Sequence, residues 1–119
     1  MYSALVDCPG MKRDFLAVLA EQVVVFDGAM GTRLYELGVF LNRCFDELNV
    51  SNGALVESVH RSYVNAGADV IETNTFGANP IRLATHGLEQ HARVIARQGV
   101  RIARAAREIV GVNALVAGS

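Results

Sequence analysis

The chain has 119 residues, 51% of them hydrophobic and 19% charged, with a formal net charge of -1 at pH 7. That balance belongs to a packed globular sequence and argues against a disordered chain, an acidic tail or the basic surface of a nucleic-acid binder. No apolar run is long enough to span a membrane, and the start lacks the basic opening and apolar core of a signal peptide, so a cytoplasmic protein with no membrane or nucleic-acid partner is expected.

Residues 1–11 read as a flexible tail. Residues 12–22 place Phe15, Leu16, Val18, Leu19 and Ala20 behind a polar Lys12-Arg13-Asp14 start, which predicts a short helix covering the bottom of the first strand. That strand is the β-branched and aromatic run at 23–26. It ends abruptly in Asp27-Gly28-Ala29-Met30-Gly31-Thr32, and helical periodicity resumes at once through Leu37. Strands apolar on both faces belong to parallel sheets, and the loop leaving such a strand at its C-terminal end is where α/β folds bind ligands. Asp27 is therefore expected at the mouth of a pocket. Gly38 is placed to end the helix in the left-handed conformation, and Gly31 lets backbone come close to another group.

Residues 39–50 show no clean period and read as an ordered loop. Ser51 or Asn52 then caps a helix to about Asn65, with Leu55, Val56, Val59, Tyr63 and Val64 as its apolar stripe and Ala66-Gly67 closing it. The second strand, 69–72, leads into Thr73-Asn74-Thr75-Phe76-Gly77-Ala78. Parallel strands point one way, so this loop lies at the same end of the sheet as Asp27. Asn79-Pro80 starts a short helix that Gly87 ends, and a long helix follows to about Val110. Its apolar positions keep helical spacing, while Arg93, Arg97, Arg101, Arg104 and Arg107 gather on the other side as a solvated surface. Gly99 weakens that helix by about 1 kcal/mol relative to alanine and is expected to allow close packing on the sheet.

A third strand at 114–117 runs into Gly118-Ser119. Strand starts at Val23, Asp69 and Ala114 divide the chain into three β–helix units of near-equal length. Such a set suits the N-terminal part of a larger parallel α/β domain, and periodicity alone does not separate a barrel from an open, doubly wound sheet. Cys8 and Cys44 lie too far apart for a zinc pair or a disulfide framework and read as ordinary thiols. His60, His86 and His91 have no ligand spacing and read as helix-surface or packing residues, and Met30 as a packing residue. The loop at 28–31 lacks the glycine spacing of a dinucleotide or P-loop site.

Asp27-Gly28-Ala29-Met30-Gly31-Thr32, the stretch from Gly67 to Ala78, Asn42-Arg43-Cys44-Phe45-Asp46-Glu47-Leu48-Asn49 and His60-Arg61-Ser62-Tyr63 together resemble homocysteine S-methyltransferase domains. These include the domain in methionine synthase and the type fused to a methylenetetrahydrofolate reductase, to which 42–49 is most similar. The resemblance implies a (β/α)8 TIM barrel, here as its first three β/α units, a little under half of a domain of ~250 residues. It implies homocysteine as substrate, bound as a zinc thiolate, and a folate, methylcobalamin or other methylated small molecule as donor. Possible partners are a donor-carrying domain or a C-terminal reductase domain. Carried over by motif, Asp27 would hold the amino group of homocysteine, while the Gly28 N–H and the Thr73 hydroxyl would meet its carboxylate, with Ala29, Asn74 and Thr75 in the same mouth. The family's zinc cysteines match nothing in this chain and are expected beyond Ser119, so neither a metal ligand nor a catalytic residue is assigned, and the chain alone is expected to be inactive. The competing reading is a small-molecule-binding α/β domain without the metal.

Overall fold

The computed structural model describes residues 14–119, so the expected tail at 1–11 and Cys8 lie outside the described residues. Helix α1 (Phe15–Glu21) is capped by the Asp14 side chain. None of its residues is buried, and its ring contact to the chain beyond is Phe15, packed edge-to-face on Phe26 at 6.3 Å. Helix α2 (Met30–Glu36) follows the first loop. The aperiodic stretch after it is irregular, as expected, but ends in a helical turn, α3 (Leu48–Ser51), which buries Leu48 and Asn49. Asn52 caps α4 (Gly53–Asn65) by accepting from the Leu55 N–H. Strand β1 (Val70–Glu72) comes next, then α5 (Pro80–Ala84) with Asn79 as its cap and proline in its first turn. The predicted long helix opens with a 3-10 turn at Glu89–His91 and continues as α6 (Ala92–Val110), and β2 (Leu115–Ala117) closes the order.

β1 and β2 pair in parallel, Val70 opposite Leu115 and Glu72 opposite Ala117. The first predicted strand, 23–26, is reduced to a single parallel bridge between Phe26 and Val70. It is held by Asp27 N to Val70 O at 2.9 Å and Asp69 N to Val25 O at 2.8 Å. Among the described residues nothing pairs with its other edge, so it has one ladder instead of two, and Val23 is left 85% exposed. The order along the sheet is nevertheless first segment, β1, β2, all parallel, in a mixed α/β fold.

The helices pack together and against β1 through two buried clusters. Leu34, Leu48, Val56 and Val59 join α2, α3 and α4 in one buried cluster, and Val64, Ile71 and Ala103 join α4, β1 and α6 in a second. Tyr63 packs against both. Helix α6 turns Ile95, Gly99, Ala103 and Ala106 inward at helical spacing and leaves Arg93, Arg97, Arg101 and Arg104 exposed, as an amphipathic helix must. Gly38 and Gly67 have φ of 95° and 101°, the left-handed geometry that ends α2 and α4 where the sequence predicts. Among the described residues, no helix is long and apolar enough to cross a membrane.

Candidate functional site

Because the three strand segments run the same way, the loops leaving Phe26, β1 and β2 open at one end of the sheet. They surround a cleft of about 580 Å³. Asp27, Gly28, Ala29, Thr73, Asn74 and Thr75, the residues expected to meet a ligand, all line it, and so do Glu72 and Ser119. The segment between α2 and α3 adds Leu41, Arg43, Cys44, Phe45 and Asp46 to the lining.

Asp27 is half-buried, and both of its carboxylate oxygens accept from the Glu72 N–H at 3.1 Å. Burial lifts its carboxyl above the usual aspartate value. The Glu72 N–H pulls it back, and the Glu72 carboxylate adds to the lift. The backbone N–H groups of Glu72 and of Asp27 itself leave acceptor positions of the carboxylate unused, so Asp27 stands ready for a cationic partner. Beside it, Ala29 precedes α2 and supplies no side-chain cap. The first N–H groups of a helix then lack protein acceptors and suit an anion. A carboxylate beside a helix start that has no side-chain cap complements an amino acid's ammonium and carboxylate.

The glycines here are explained by side chains. A Cβ on Gly28 would stand 2.9 Å from the Tyr63 hydroxyl, which donates to the Ala29 carbonyl at 2.9 Å. A Cβ on Gly31 would stand 3.2 Å from the Phe45 ring. The close approach expected at Gly31 is thus made by Phe45.

Thr73 is 3% exposed, and its hydroxyl lies 2.7 Å from that of Thr75 and accepts from the Ser119 N–H at 3.3 Å. Thr75 in turn donates to the Ser119 carbonyl. Asn74 turns inward: its amide donates to the Phe45 carbonyl at 2.8 Å and to Asn49 Oδ1 at 3.1 Å, which uses both of its protons within the protein. Sequence reasoning passed over Asp46, Asn49 and Tyr63 as site-forming residues. The signal for the first two was present, as polar residues in an aperiodic stretch with no helix face to solvate them.

Cys44 lines the cleft, yet among the described residues no three His, Cys, Asp or Glu side chains group closely enough to hold a metal ion. His60 is fully buried on α4, as a packing residue should be, but neither ring nitrogen has a hydrogen-bond partner among the described residues. Burial pushes its pKa down to about 4.

Comparison with known proteins matches residues 24–119 to the family described as Homocysteine S-methyltransferase. Methionine synthase of Mycobacterium tuberculosis is 38% identical over 104 residues, which cover 82% of this chain and 9% of that protein. Methionine synthase of Mycobacterium leprae is 39% identical over 97 residues, 76% of this chain and 8% of that one. The chain thus spans less than a tenth of the length of these curated relatives. The crystal structure of the homocysteine methyltransferase MmuM from Escherichia coli, in its metallated form, superposes with a TM-score of 0.74 at 33% identity, covering 86% of this chain and 39% of that one. The apo form of the same protein gives 0.65 at 31% identity.

Proposed function

This chain belongs to the homocysteine S-methyltransferase family, and on that premise we propose that its cleft holds the amino-acid end of homocysteine in a protein that methylates the homocysteine sulfur to give methionine. The observation that carries the reading is Asp27, a carboxylate fixed by the Glu72 N–H at the strand end and lining the cleft. The ammonium of the substrate pairs with Asp27, and its carboxylate lies toward the Gly28 N–H and beside Thr73, whose hydroxyl proton is held by Thr75 and reaches the ligand only by leaving it. Ala29 and Thr75 complete the wall, and Asn74 shapes it from behind.

In this reading the described residues are the first three β/α units of a (β/α)8 barrel. The parallel order of the segments and the exposure of Val23, Val25 and Phe26 support it, since strands of such a barrel are covered on both sides. The zinc that the family resemblance implies does not fit the described residues, whose possible donors stay apart. They bind and orient the substrate's backbone end. The donor, whether folate, methylcobalamin or another methylated molecule, would deliver its methyl group to a sulfur held elsewhere, and any reductase domain would act on the folate and not on that sulfur.

Asp27→Asn, made in a complete domain that carries this N-terminal part and its zinc cysteines, tests the reading. Asparagine keeps an oxygen for the Glu72 N–H but removes the charge, so the fold should survive while homocysteine binding weakens. A lost charge-assisted hydrogen bond costs roughly 1.5–3 kcal/mol, or on the order of ten- to a hundredfold in affinity. Calorimetric titration of both proteins with homocysteine measures it, alongside their melting temperatures. Affinity should also fall on acidification as Asp27 takes up its proton, beginning above the ordinary aspartate range because its pKa is raised, and the variant should lack that slope. Equal affinity in the two proteins would reduce Asp27 to a turn residue.

A further inference from the structure

The loop at 73–78 carries Thr73 and Thr75 into the cleft, and the segment at 45–49 grips it at two points. At the far point, Asp46 Oδ1 accepts from the Gly77 N–H at 2.9 Å. At the near point, Asn49 Nδ2 donates to the Asn74 carbonyl at 2.7 Å and to the Ile95 carbonyl on α6 at 3.2 Å. The Asn74 amide answers with its bonds to Asn49 Oδ1 and the Phe45 carbonyl. Asn49 and Asn74 are 4% and 7% exposed, so these amides have little water to fall back on. A buried amide whose partner is removed costs more than the bond it made, which makes the reciprocal pair a rigid joint.

We propose that Asp46 and Asn49 are positioning residues of the amino-acid pocket, holding the 73–78 loop so that the wall it forms at Thr73 and Thr75 keeps one fixed shape against the ligand. The assignment rests on the homocysteine reading of the cleft. Asp46 acts through its acceptor oxygen and not through its charge. Its Oδ1 is occupied by Gly77, and a Cβ on Gly77 would stand only 2.6 Å from Oδ2, so the carboxylate lies flush on the loop backbone.

Three substitutions separate acceptor from charge. Asp46→Asn keeps an oxygen at the same reach without charge, Asp46→Glu keeps the charge but adds a methylene where no space remains, and Asp46→Ala keeps neither. Each is titrated with homocysteine by calorimetry at a temperature where circular dichroism shows it folded. Hydrogen exchange of the Gly77 amide is followed by NMR. Positioning predicts that Asp46→Asn stays within about twofold of the unaltered protein in both readouts. Asp46→Ala and Asp46→Glu should bind roughly tenfold more weakly and exchange Gly77 at least about tenfold faster.

If Asp46→Glu binds normally and Asp46→Asn does not, the charge touches the ligand and the assignment is wrong. It is equally wrong if Asp46→Ala speeds exchange at Gly77 but leaves affinity unchanged, since the contact is then merely structural. Asp27→Asn, run beside them, separates the two readings. Weakening by Asp27→Asn with none from Asp46→Ala or Asp46→Glu overturns only the positioning role. If the complete domain carrying this chain and its zinc cysteines binds no homocysteine, the pocket reading and this one fall together.

Discussion

Gly99→Ala should destabilise the protein by about 3 kcal/mol, although alanine is the better helix former. In an exposed helix interior the exchange would gain about 1 kcal/mol. At this position a Cβ would stand 2.6 Å from Thr75 Cγ2, 2.8 Å from Asn49 Nδ2 and 3.4 Å from the Asn74 carbonyl oxygen. The first two are far inside van der Waals contact, and neither neighbour is the free end of a flexible chain. Asn49 is tied by its amide to Asn74 and Ile95, and Thr75 by its hydroxyl to Thr73 and Ser119. Overpacking of this kind costs typically 1–3 kcal/mol, and a buried amide pushed off its partners adds ~1–3 kcal/mol. The steric and polar losses therefore outweigh the propensity gain. Urea unfolding should show a lower midpoint with an unchanged slope, and, on the proposed function, homocysteine affinity should fall too because Thr75 lines the cleft. A midpoint equal to or above that of the unaltered chain would mean that α6 can slide away from the 73–78 loop at no cost.

The second large effect is acid lability centred on His60. Its imidazole is fully buried and makes no hydrogen bond to the described residues, and burial lowers its pKa from 6.5 to about 4. Above pH 6.5 the ring is neutral folded or unfolded, and it adds no pH dependence. Between 6.5 and about 4 the unfolded chain binds a proton that the folded one refuses, so stability falls as the pH falls and the loss levels off below the folded pKa. At 1.36 kcal/mol per unit, the loss amounts to about 3 kcal/mol. Asp27 works in the opposite sense, because its raised pKa favours the folded state once it is protonated. The His60 contribution is therefore read as a difference from His60→Leu, which fills a similar volume without a titratable ring. At pH 7 the variant should be at least as stable, since an orphaned imidazole is exchanged for an apolar group. By pH 4.5 its advantage should have grown by about 2–3 kcal/mol, measured as melting temperature or urea midpoint against pH. Parallel pH curves for the two proteins would place the titrating proton elsewhere.

Much of the local architecture was legible in the chain because its causes are local. Gly38 and Gly67 end helices at left-handed positions, Asn79 and Pro80 start one, and the spacing of Ile95, Ala103 and Ala106 gives α6 its buried face. The convergence of Asp27 and Thr73 on one cleft was legible too, since two parallel strands place their following loops at the same end. Tertiary structure alone decided which partner each of those residues faces. The requirement for glycine at 28 and 31 comes from Tyr63 and Phe45, and the requirement at 99 comes from Thr75 and Asn49 in the loop and α3 more than from the sheet itself. Asn74, expected to face a ligand, spends its amide on Phe45 and Asn49, while the aperiodic stretch supplied Asp46 and Asn49 to grip the loop. His60 takes the packing place of the two, surface or packing, that its helix position left open, and the apolar run at 23–26 makes one bridge because a strand's length depends on neighbours at both edges. Caps, turns and periodicities are written within a few residues of where they act, whereas the Asn49–Asn74, Asp46–Gly77 and Asn49–Ile95 contacts join positions 25, 31 and 46 residues apart and exist only once the helices have packed.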